Sequence, residues 1–489
     1  MKNYISNEQF RVGCRCRRLL WLQEQEKNKP IEFCPELSAL AQNYVYGGAA
    51  VSAHDLSERA SETISLAKNG AKVIKRPAFK AGDSVAVADL LVLHKDSAII
   101  YFSYPALNPR RVFCREAGFI MAAAEISGFE NIKVMLLLPR KEFVRHGEID
   151  PREFFAVYDM SEEAKMLREK SYIFSRVLGE TLECRGEPEV DLHKNCFNPD
   201  SCKYFEHCTK EMPYPNVFKV ARLNINTKLQ MYNEGKIGYE SLRNDSRLTE
   251  NQKKQIRMSM DKVPPVVKKK ELSEFLSSLW YPLCFLDFES WQPPVPPSDN
   301  MHPFEQVAFQ YSLHIIEKEG APVIHREFLA EGEADPREAL AKQLIRDIPD
   351  GACVLAYNKQ FETMVVSGLA NMFEDMREPL EKIRDNINDL MMPFQKKYYY
   401  DRRMEGSFSI KAVLPALYPD DPELSYDNLP EIHNGSQAML SYSTLADETP
   451  ERANEIRRCL LRYCELDTLG MVKIVEKLRE AIKPQAVLK

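Results

Sequence analysis

One short apolar strand restricts the fold of this chain more than any other feature. Leu283–Glu289 (LCFLDFE) has the composition of a buried strand, and it ends in Asp-x-Glu. Side chains alternate along a strand, so Asp287 and Glu289 point to the same side. Carboxylates in an apolar interior must be paired or must coordinate a cation, and a pair of divalent ions requires this arrangement. The motif therefore predicts a metal site, although solvated surface strands also carry Asp-x-Glu.

Two further acidic elements follow this strand. Tyr357–Glu362 (YNKQFE) comes directly after an apolar run and places an acid at the start of a helix. Tyr463 and Asp467 lie four residues apart in a long helical segment, so they share one helix face. A tyrosine beside a metal-bound aspartate can orient an attacking water. The alternative for Tyr463 is an amphipathic side chain packed in the core.

Taken in order, Asp-x-Glu, Asn-x-x-Phe-acid and Tyr-x-x-x-Asp resemble the DEDDy branch of 3′–5′ exonucleases, which are RNase-H-like proteins. The likeness covers about Pro282–Leu478. Three further stretches, around Gln306–His314, Gly406–Leu417 and Leu424–Tyr426, resemble a bacterial family that joins such a domain to a RecB-like region. The resemblance implies an RNase-H-like, mixed-sheet α/β domain over residues 276–489.

The same resemblance implies two metal ions, Mg²⁺ or Mn²⁺, roughly 4 Å apart. Asp287 would bridge both ions, and Glu289 and Asp467 would each bind one. Glu362 stands where the family usually has aspartate and is one methylene longer, which puts its role as a ligand in doubt. The catalytic residues that the resemblance implies are Asp287, Glu289, Glu362, Tyr463 and Asp467.

A regular run of cysteines lies in the N-terminal half, with five residues between Cys196 and Cys202 and five between Cys202 and Cys208. Four thiolates favour zinc or an iron–sulfur cluster, and the fourth need not be near in sequence. Cys14 and Cys16 are the candidates near the start of the chain.

A pattern of one cysteine near the start of the chain and three after the core resembles that of the RecB-like nucleases with an iron–sulfur cluster, including the CRISPR-associated ones. The match through Arg18–Leu22 (RLLWL) selects Cys16. The resemblance implies a 4Fe–4S cluster, with zinc as the alternative, held by Cys16, Cys196, Cys202 and Cys208.

RecB-like nucleases cut with a PD-(D/E)XK core, which needs an aspartate on one strand and acid-x-lysine on the next. Asp89 fits the first position, but Tyr101 and Ser103 replace the acid and the lysine, and Ile120 replaces a glutamine. The resemblance therefore implies a degenerate RecB-like α/β domain over residues 1–215 that grips nucleic acid without cutting it.

Periodicity and turn residues give the coarse arrangement of elements. The N-terminal domain should contain a hairpin that turns at Lys95-Asp96. Residues 216–275 are polar and helix-prone and are interpreted as a helical connector. The expected strands are Ser84–His94, Ser97–Ser103, Ile132–Leu138, Leu283–Phe288, Gln306–Ile316 and Cys353–Tyr357. The expected helices are Phe113–Ile126, Ser161–Leu178, Pro336–Ile348, Phe361–Met372 and Ala453–Lys483.

Bulk properties set the remaining expectations. The 489 residues are enough for two or three domains. A net charge of -6 argues against a uniformly basic surface, but it allows a local basic groove. No apolar run reaches the length of a membrane span, and Met1 to Arg18 lacks the apolar core of a secretory signal, so we expect a cytoplasmic protein with free thiols.

These observations predict a metal-dependent 3′–5′ exonuclease acting on single-stranded or 3′-ended DNA, with an N-terminal domain that binds or guides the substrate. Two alternatives stay open from the sequence. One is a catalytically weak nucleic-acid-binding protein, which the Glu362 departure favours. The other is an exoribonuclease, since no motif here distinguishes contacts to a 2′-hydroxyl.

Overall fold

The computed structural model describes residues 4–26, 34–198, 201–331 and 335–483. The chain divides into two compact units, of which unit 1 comprises Met1–Lys210 with Pro293–Glu305, and unit 2 comprises Glu211–Gln292 with Gln306–Lys489. The fold is mixed α/β with mixed sheets, which confirms the predicted class. The predicted connector, residues 216–275, lies within unit 2.

Unit 1 is built around a six-stranded mixed sheet in the order β1-β2-β5-β6-β7-β8, with a separate β3-β4 ribbon. Its elements are α1 (Asn7–Arg15), α2 (Arg17–Gln25), α3 (Pro35–Ala41), β1 (Ala49–Ala50), α4 (Leu56–Lys68), β2 (Val73–Lys75), β3 (Ala78–Ala81), β4 (Ser84–Val87), β5 (Leu90–Leu93), β6 (Ala98–Ser103), α5 (Arg111–Ile126), β7 (Ile132–Pro139), α6 (Pro151–Phe154), β8 (Phe155–Asp159), α7 (Ser161–Glu183) and α8 (Phe205–Thr209).

The predicted hairpin is present, since β5 and β6 pair antiparallel across the turn that contains Lys95-Asp96. The expected single run Ser84–His94 is wrong in one respect, because it forms two strands. β4 pairs with β3, whereas β5 belongs to the main sheet. Helix α5 packs against this sheet and contributes buried residues along most of its length, so unit 1 has its own apolar core.

Unit 2 contains a five-stranded mixed sheet in the order β12-β11-β10-β13-β14. Its elements are α9 (Ile225–Asn233), α10 (Tyr239–Leu242), α11 (Glu250–Met260), β9 (Val266–Val267), α12 (Lys269–Ser277), β10 (Leu283–Trp291), β11 (Val307–Ile316), β12 (Ile324–Leu329), α13 (Arg337–Asp347), β13 (Cys353–Ala356), α14 (Gln360–Met372), α15 (Arg377–Asp385), β14 (Ile387–Asp389), α16 (Met392–Gln395), β15 (Tyr399–Tyr400), α17 (Ile410–Leu417), α18 (Gly435–Ser443) and α19 (Pro450–Ile482).

The Asp-x-Glu strand, β10, lies at the centre of this sheet. It is antiparallel to β11 and parallel to β13. The two acids of β10 lie opposite polar residues of β11, because Asp287 pairs with Ser312 and Glu289 pairs with Gln310. Cross-strand partners project from the same face of a sheet, so one polar row crosses an otherwise apolar surface.

Helix α19 covers that polar row. The Thr449 side chain accepts a hydrogen bond from the Arg452 N–H, and Pro450 occupies the first turn, so the helix start is well capped. Tyr463 and Asp467 fall on its buried face, which packs against β10 and β11. Despite the 33 residues of α19, none of the helices in the described ranges is long and apolar enough to cross a membrane.

Candidate active site

Three carboxylates from distant parts of the sequence meet where β10 packs against α19. Asp287, Glu289 and Asp467 each offer one carboxylate oxygen, and these oxygens all lie within 4.8 Å of one another. Glu289 and Asp467 are only 8% and 7% exposed. The strand therefore supplies two acids and the helix supplies the third, which is the convergence expected from the sequence.

Burial and mutual repulsion govern the protonation of these acids. Burial, followed by the charges of Asp467 and Glu289, raises the pKa of Asp287 well above its ordinary value. Burial and the charge of Asp467 raise the pKa of Glu289 to about 8. Burial also raises the pKa of Asp467 to about 6. Without a cation, the cluster therefore holds protons at neutral pH, and a bound divalent ion would take their place.

Glu362 lies near this cluster but outside the group whose oxygens converge. It is only 2% exposed, and its Oε2 has no hydrogen-bond partner among the described residues. Burial raises the pKa of Glu362 to about 8, and the charges of Asp389 and Asp467 add to the rise. A buried acceptor without a partner costs about 1–3 kcal/mol, which a bound ion or water would offset.

The nearby Asp389 has a different role. Its Oδ1 accepts backbone hydrogen bonds from Asn358, at 3.0 Å, and from Met391, at 2.9 Å. Asp389 therefore fixes the turn that leads into α14, and so it helps to place Glu362.

Two residues that the sequence analysis did not assign to the site complete its wall. The hydroxyl of Tyr426 donates a short hydrogen bond to Oδ1 of Asp467. Lys411 Nζ lies 3.3 Å from the hydroxyl of Tyr463 and donates to the carbonyl oxygen of His433 at 2.6 Å. Burial raises the pKa of Tyr426 and the pKa of Tyr463 well above the ordinary value, so both hydroxyls stay protonated and can donate a hydrogen bond.

Both residues lie in stretches that resemble the bacterial family, Gly406–Leu417 and Leu424–Tyr426, but neither was assigned to the site. Lys411 is the single charged residue in the otherwise apolar helix α17, and it lies on the exposed side of that helix. Tyr426 lies in a short 3-10 segment without periodicity, so its place beside Asp467 depends on tertiary packing. Cys464 was likewise missed, and its thiol donates to Oδ2 of Asp287 at 3.5 Å.

The acid cluster opens into a cavity of about 1080 Å³ within unit 2. Asp287, Glu289, Tyr463 and Asp467 line one part of it. Other parts are basic or aromatic, with side chains that include Lys219, Arg222, Lys228, Arg403, Lys411, Tyr214, Phe218, Tyr357 and Phe408. Basic groups suit phosphates and aromatic rings suit bases, so this lining is compatible with a nucleic-acid strand.

The four predicted cysteine ligands lie together in unit 1. Cys16, Cys196, Cys202 and Cys208 line one small cavity. Cys16 joins α1 to α2, and the Cys202 N–H donates to the Cys196 carbonyl at 2.8 Å, which closes the loop between them. Cys14, the alternative, instead packs against the apolar core. None of the twelve cysteines of the chain forms a disulfide.

Asp89, the surviving acid of the degenerate nuclease core, is engaged in structural hydrogen bonds. It accepts from the Ser38 hydroxyl at 2.5 Å and from the Ser103 N–H at 2.6 Å. Tyr101 packs against Tyr44, with ring centroids 5.5 Å apart, and Ile120 is fully buried in the core. Within the described residues, Asp89 belongs to no group of converging metal-ligand atoms.

Comparison with protein families shows a match over part of the chain. Residues 284–409 match the family described as Domain of unknown function (DUF2779), which spans about a quarter of the chain. The matched segment begins within the acid strand and includes Asp287, Glu289 and Glu362, while Asp467 lies beyond it. No curated protein matches the chain.

Proposed function

We propose that this protein is a metal-dependent 3′–5′ exonuclease whose chemistry takes place in an RNase-H-like domain within unit 2. The observation that carries the proposal is the convergence of Asp287, Glu289 and Asp467 at one point, where Glu289 and Asp467 are buried and Asp287 is half-buried. Buried carboxylates this close are costly unless a cation is bound between them. A mixed sheet with the acids on its central strand, covered by a helix that brings a third acid and a tyrosine, agrees with the DEDDy resemblance.

The donor set fits hard divalent cations. Mg²⁺ and Mn²⁺ take oxygen ligands, and the site offers oxygens of Asp287, Glu289 and Asp467, with the unpartnered Oε2 of Glu362 beside them. When bound, such ions supply charge stabilisation to the attacking and leaving oxygens of a phosphodiester.

The chain's own side chains complete the site. Tyr426 donates to Asp467 and so fixes the orientation of that carboxylate. Tyr463, as a protonated hydroxyl on the cavity wall, is placed to orient the attacking water. Lys411, beside Tyr463, is the cation nearest to that hydroxyl among the contacts described, and it is suited to contact the phosphate at the strand end.

The cavity supports a single-stranded DNA end as the substrate. Its basic side chains would follow the phosphates, and exposed bases would stack on its aromatic rings. For unit 1 we propose a RecB-like domain that binds nucleic acid without cutting it. The absence of cutting is supported by Asp89, whose carboxylate is committed to structural hydrogen bonds.

A direct assay tests the activity. Purified protein is incubated with 5′-end-labelled single-stranded DNA, and with RNA of the same sequence, in Mn²⁺, in Mg²⁺ or in chelator. We expect the labelled DNA to shorten progressively from its 3′ end with metal and to stay intact with chelator. Immediate release of a labelled mononucleotide would show that digestion begins at the 5′ end. Faster cleavage of RNA than of DNA would make RNA the substrate. DNA that stays intact with every metal would contradict the assignment as an exonuclease.

For the cysteine site we propose an iron–sulfur cluster. A single tetrahedral zinc ion holds its sulfurs about 2.3 Å from the metal, which requires sulfurs less than about 4 Å apart. In the described residues these cysteines form no group with ligand atoms all within 4.8 Å, although they line one cavity. The wider spacing favours a cluster.

The metal content of the protein checks this assignment. Anaerobically purified protein should be brown and contain about four irons, as a four-thiolate cluster does. Cys202→Ser should lose most of the iron, whereas Cys14→Ser, the matched control, should retain it. Stoichiometric zinc without iron in the wild-type protein would assign the site to zinc instead.

A further inference from the structure

A second group of potential metal ligands lies on the same sheet face in unit 2. His314 on β11, His325 on β12 and Glu465 on α19 each offer one ligand atom, and these atoms all lie within 4.8 Å of one another. His314 and His325 are cross-strand partners, and their rings stack with centroids 4.5 Å apart. Two strands and a helix therefore meet at one point through two imidazoles and a carboxylate.

A chain of hydroxyl groups orients both imidazoles. Thr468 Oγ1 lies 2.8 Å from His314 Nδ1 and 2.7 Å from Ser312 Oγ, and Ser312 Oγ lies 2.9 Å from His325 Nε2. Thr468 can donate its own proton to the Glu465 carbonyl at 3.1 Å. Ser312 and His314 then donate to Thr468, and His325 donates to Ser312.

In this arrangement His314 would carry its proton on Nδ1 and His325 would carry its proton on Nε2, and the other nitrogen of each ring would keep a lone pair. Metal-binding histidines are oriented in this way, with one ring nitrogen bound to a hydrogen-bond partner and the other to the ion. Here the two imidazoles also lie beside a carboxylate, with one ligand atom of each of the three residues within 4.8 Å of the others.

Burial and access also suit a bound ion. His314 is 4% exposed, and burial, with the neighbouring His325, lowers its pKa to about 4, so its imidazole is neutral at physiological pH. His325 and Glu465 are partly exposed, which leaves a path for an ion to enter. Glu465 is additionally held by Arg462, whose guanidinium donates to it at 2.9 Å.

We propose that His314, His325 and Glu465 bind one divalent transition-metal ion, of which zinc is the probe. Two imidazoles and a carboxylate are a known zinc ligand set, and imidazole nitrogen favours transition metals over Mg²⁺. The bound ion ties α19 to β11 and β12. Because Glu465 lies two residues before Asp467, the ion also fixes the stretch of helix that carries the third acid.

Zinc stoichiometry in the full-length protein tests the proposal. The protein is stripped with chelator, loaded with zinc, desalted and analysed by mass spectrometry for metal per chain. His325→Ala and Glu465→Gln should each hold one zinc fewer than wild type, and zinc should raise the melting temperature of the wild type more than that of either variant. Both positions are partly exposed, so both variants should fold, which circular dichroism verifies.

A matched control isolates the site. His146→Ala removes an exposed histidine of unit 1. It should keep the zinc that His325→Ala loses, and any zinc held by the cysteines or by the acid cluster is the same in every variant. Equal zinc in wild type and His325→Ala, or an equal loss in His146→Ala, would overturn the proposal. Because the readout is metal content, the test of this zinc site does not depend on whether the protein has exonuclease activity.

Discussion

Asp287→Ala should abolish nucleolysis, whereas Asp89→Ala should leave the rate of the chemical step nearly unchanged. Asp287 belongs to the converging carboxylates of unit 2, and no other residue on β10 can replace its oxygens. Losing a single preorganised electrostatic group at an active site typically costs about 10² to 10³ in rate, and losing a metal ligand should cost at least as much. Asp89, in contrast, accepts structural hydrogen bonds from Ser38 and Ser103 and joins no group of metal-ligand atoms among the described residues.

Single-turnover cleavage of end-labelled DNA, at saturating Mn²⁺ and with equal amounts of folded protein, measures this difference. Asp89→Ala removes the acceptor of two partly buried hydrogen bonds, so its melting temperature should fall even though its rate per folded molecule does not. Asp89→Asn, which keeps an acceptor oxygen, controls for that loss of stability. Tyr463→Phe should fall between the two alanine variants, because it loses water orientation but keeps every carboxylate. An inactive Asp89→Ala with an active Asp287→Ala would assign the chemistry to unit 1.

The sequence predicted those parts of the site that lie in regular elements. An apolar strand ending in Asp-x-Glu forces two carboxylates onto one face, and β10 has that form. Tyr463 and Asp467 share a face of α19 because a helix repeats after nearly four residues. Local periodicity contains this information, so no tertiary structure was needed to recover it.

The remainder of the site depends on tertiary contacts that periodicity does not contain. Tyr426 reaches Asp467 from a 3-10 segment, and Lys411 reaches Tyr463 from α17. His325 lies on β12, an edge strand of intermediate to exposed residues that the sequence analysis did not predict. A half-polar edge strand has little apolar alternation, so its pairing with β11, and hence the partner of His314, becomes visible only in the sheet.

Stability without metal should fall as pH rises from about 5 to about 8, and Mn²⁺ should restore it. The pKa of Glu289 rises from 4.5 to about 8 on folding, mainly through burial. Between these values the folded protein holds a proton that the unfolded chain has released. The folded state therefore binds more protons, and the free energy of unfolding decreases with pH. The stabilisation that this proton provides is complete at pH values below the pKa of Glu289 in the unfolded chain. It is lost as the pH rises past the pKa of Glu289 in the folded protein.

The expected effect is large because several buried acids titrate in the same direction. For Glu289 alone, a pKa rise from 4.5 to about 8 corresponds to about 5 kcal/mol at most. Glu362, with its pKa also raised to about 8, adds to the effect, and Asp467 contributes at lower pH. A change of 1 kcal/mol shifts the melting temperature by about 2–4 °C in a domain of this size, so a fall of about 10 °C is a modest expectation.

Melting temperatures measured in chelator at pH 5, 6, 7 and 8, and again with Mn²⁺, give the comparison. Glu289→Gln stays neutral at every pH, so its melting temperature in chelator should fall less steeply than that of wild type and should rise less when Mn²⁺ is added. Glu451→Gln, at an exposed position in the first turn of α19, should follow the wild-type curve in both conditions. Curves for wild type and Glu289→Gln that run parallel from pH 5 to pH 8 would show that folding does not raise the pKa of Glu289, and the argument that this buried carboxylate needs a cation would then fail.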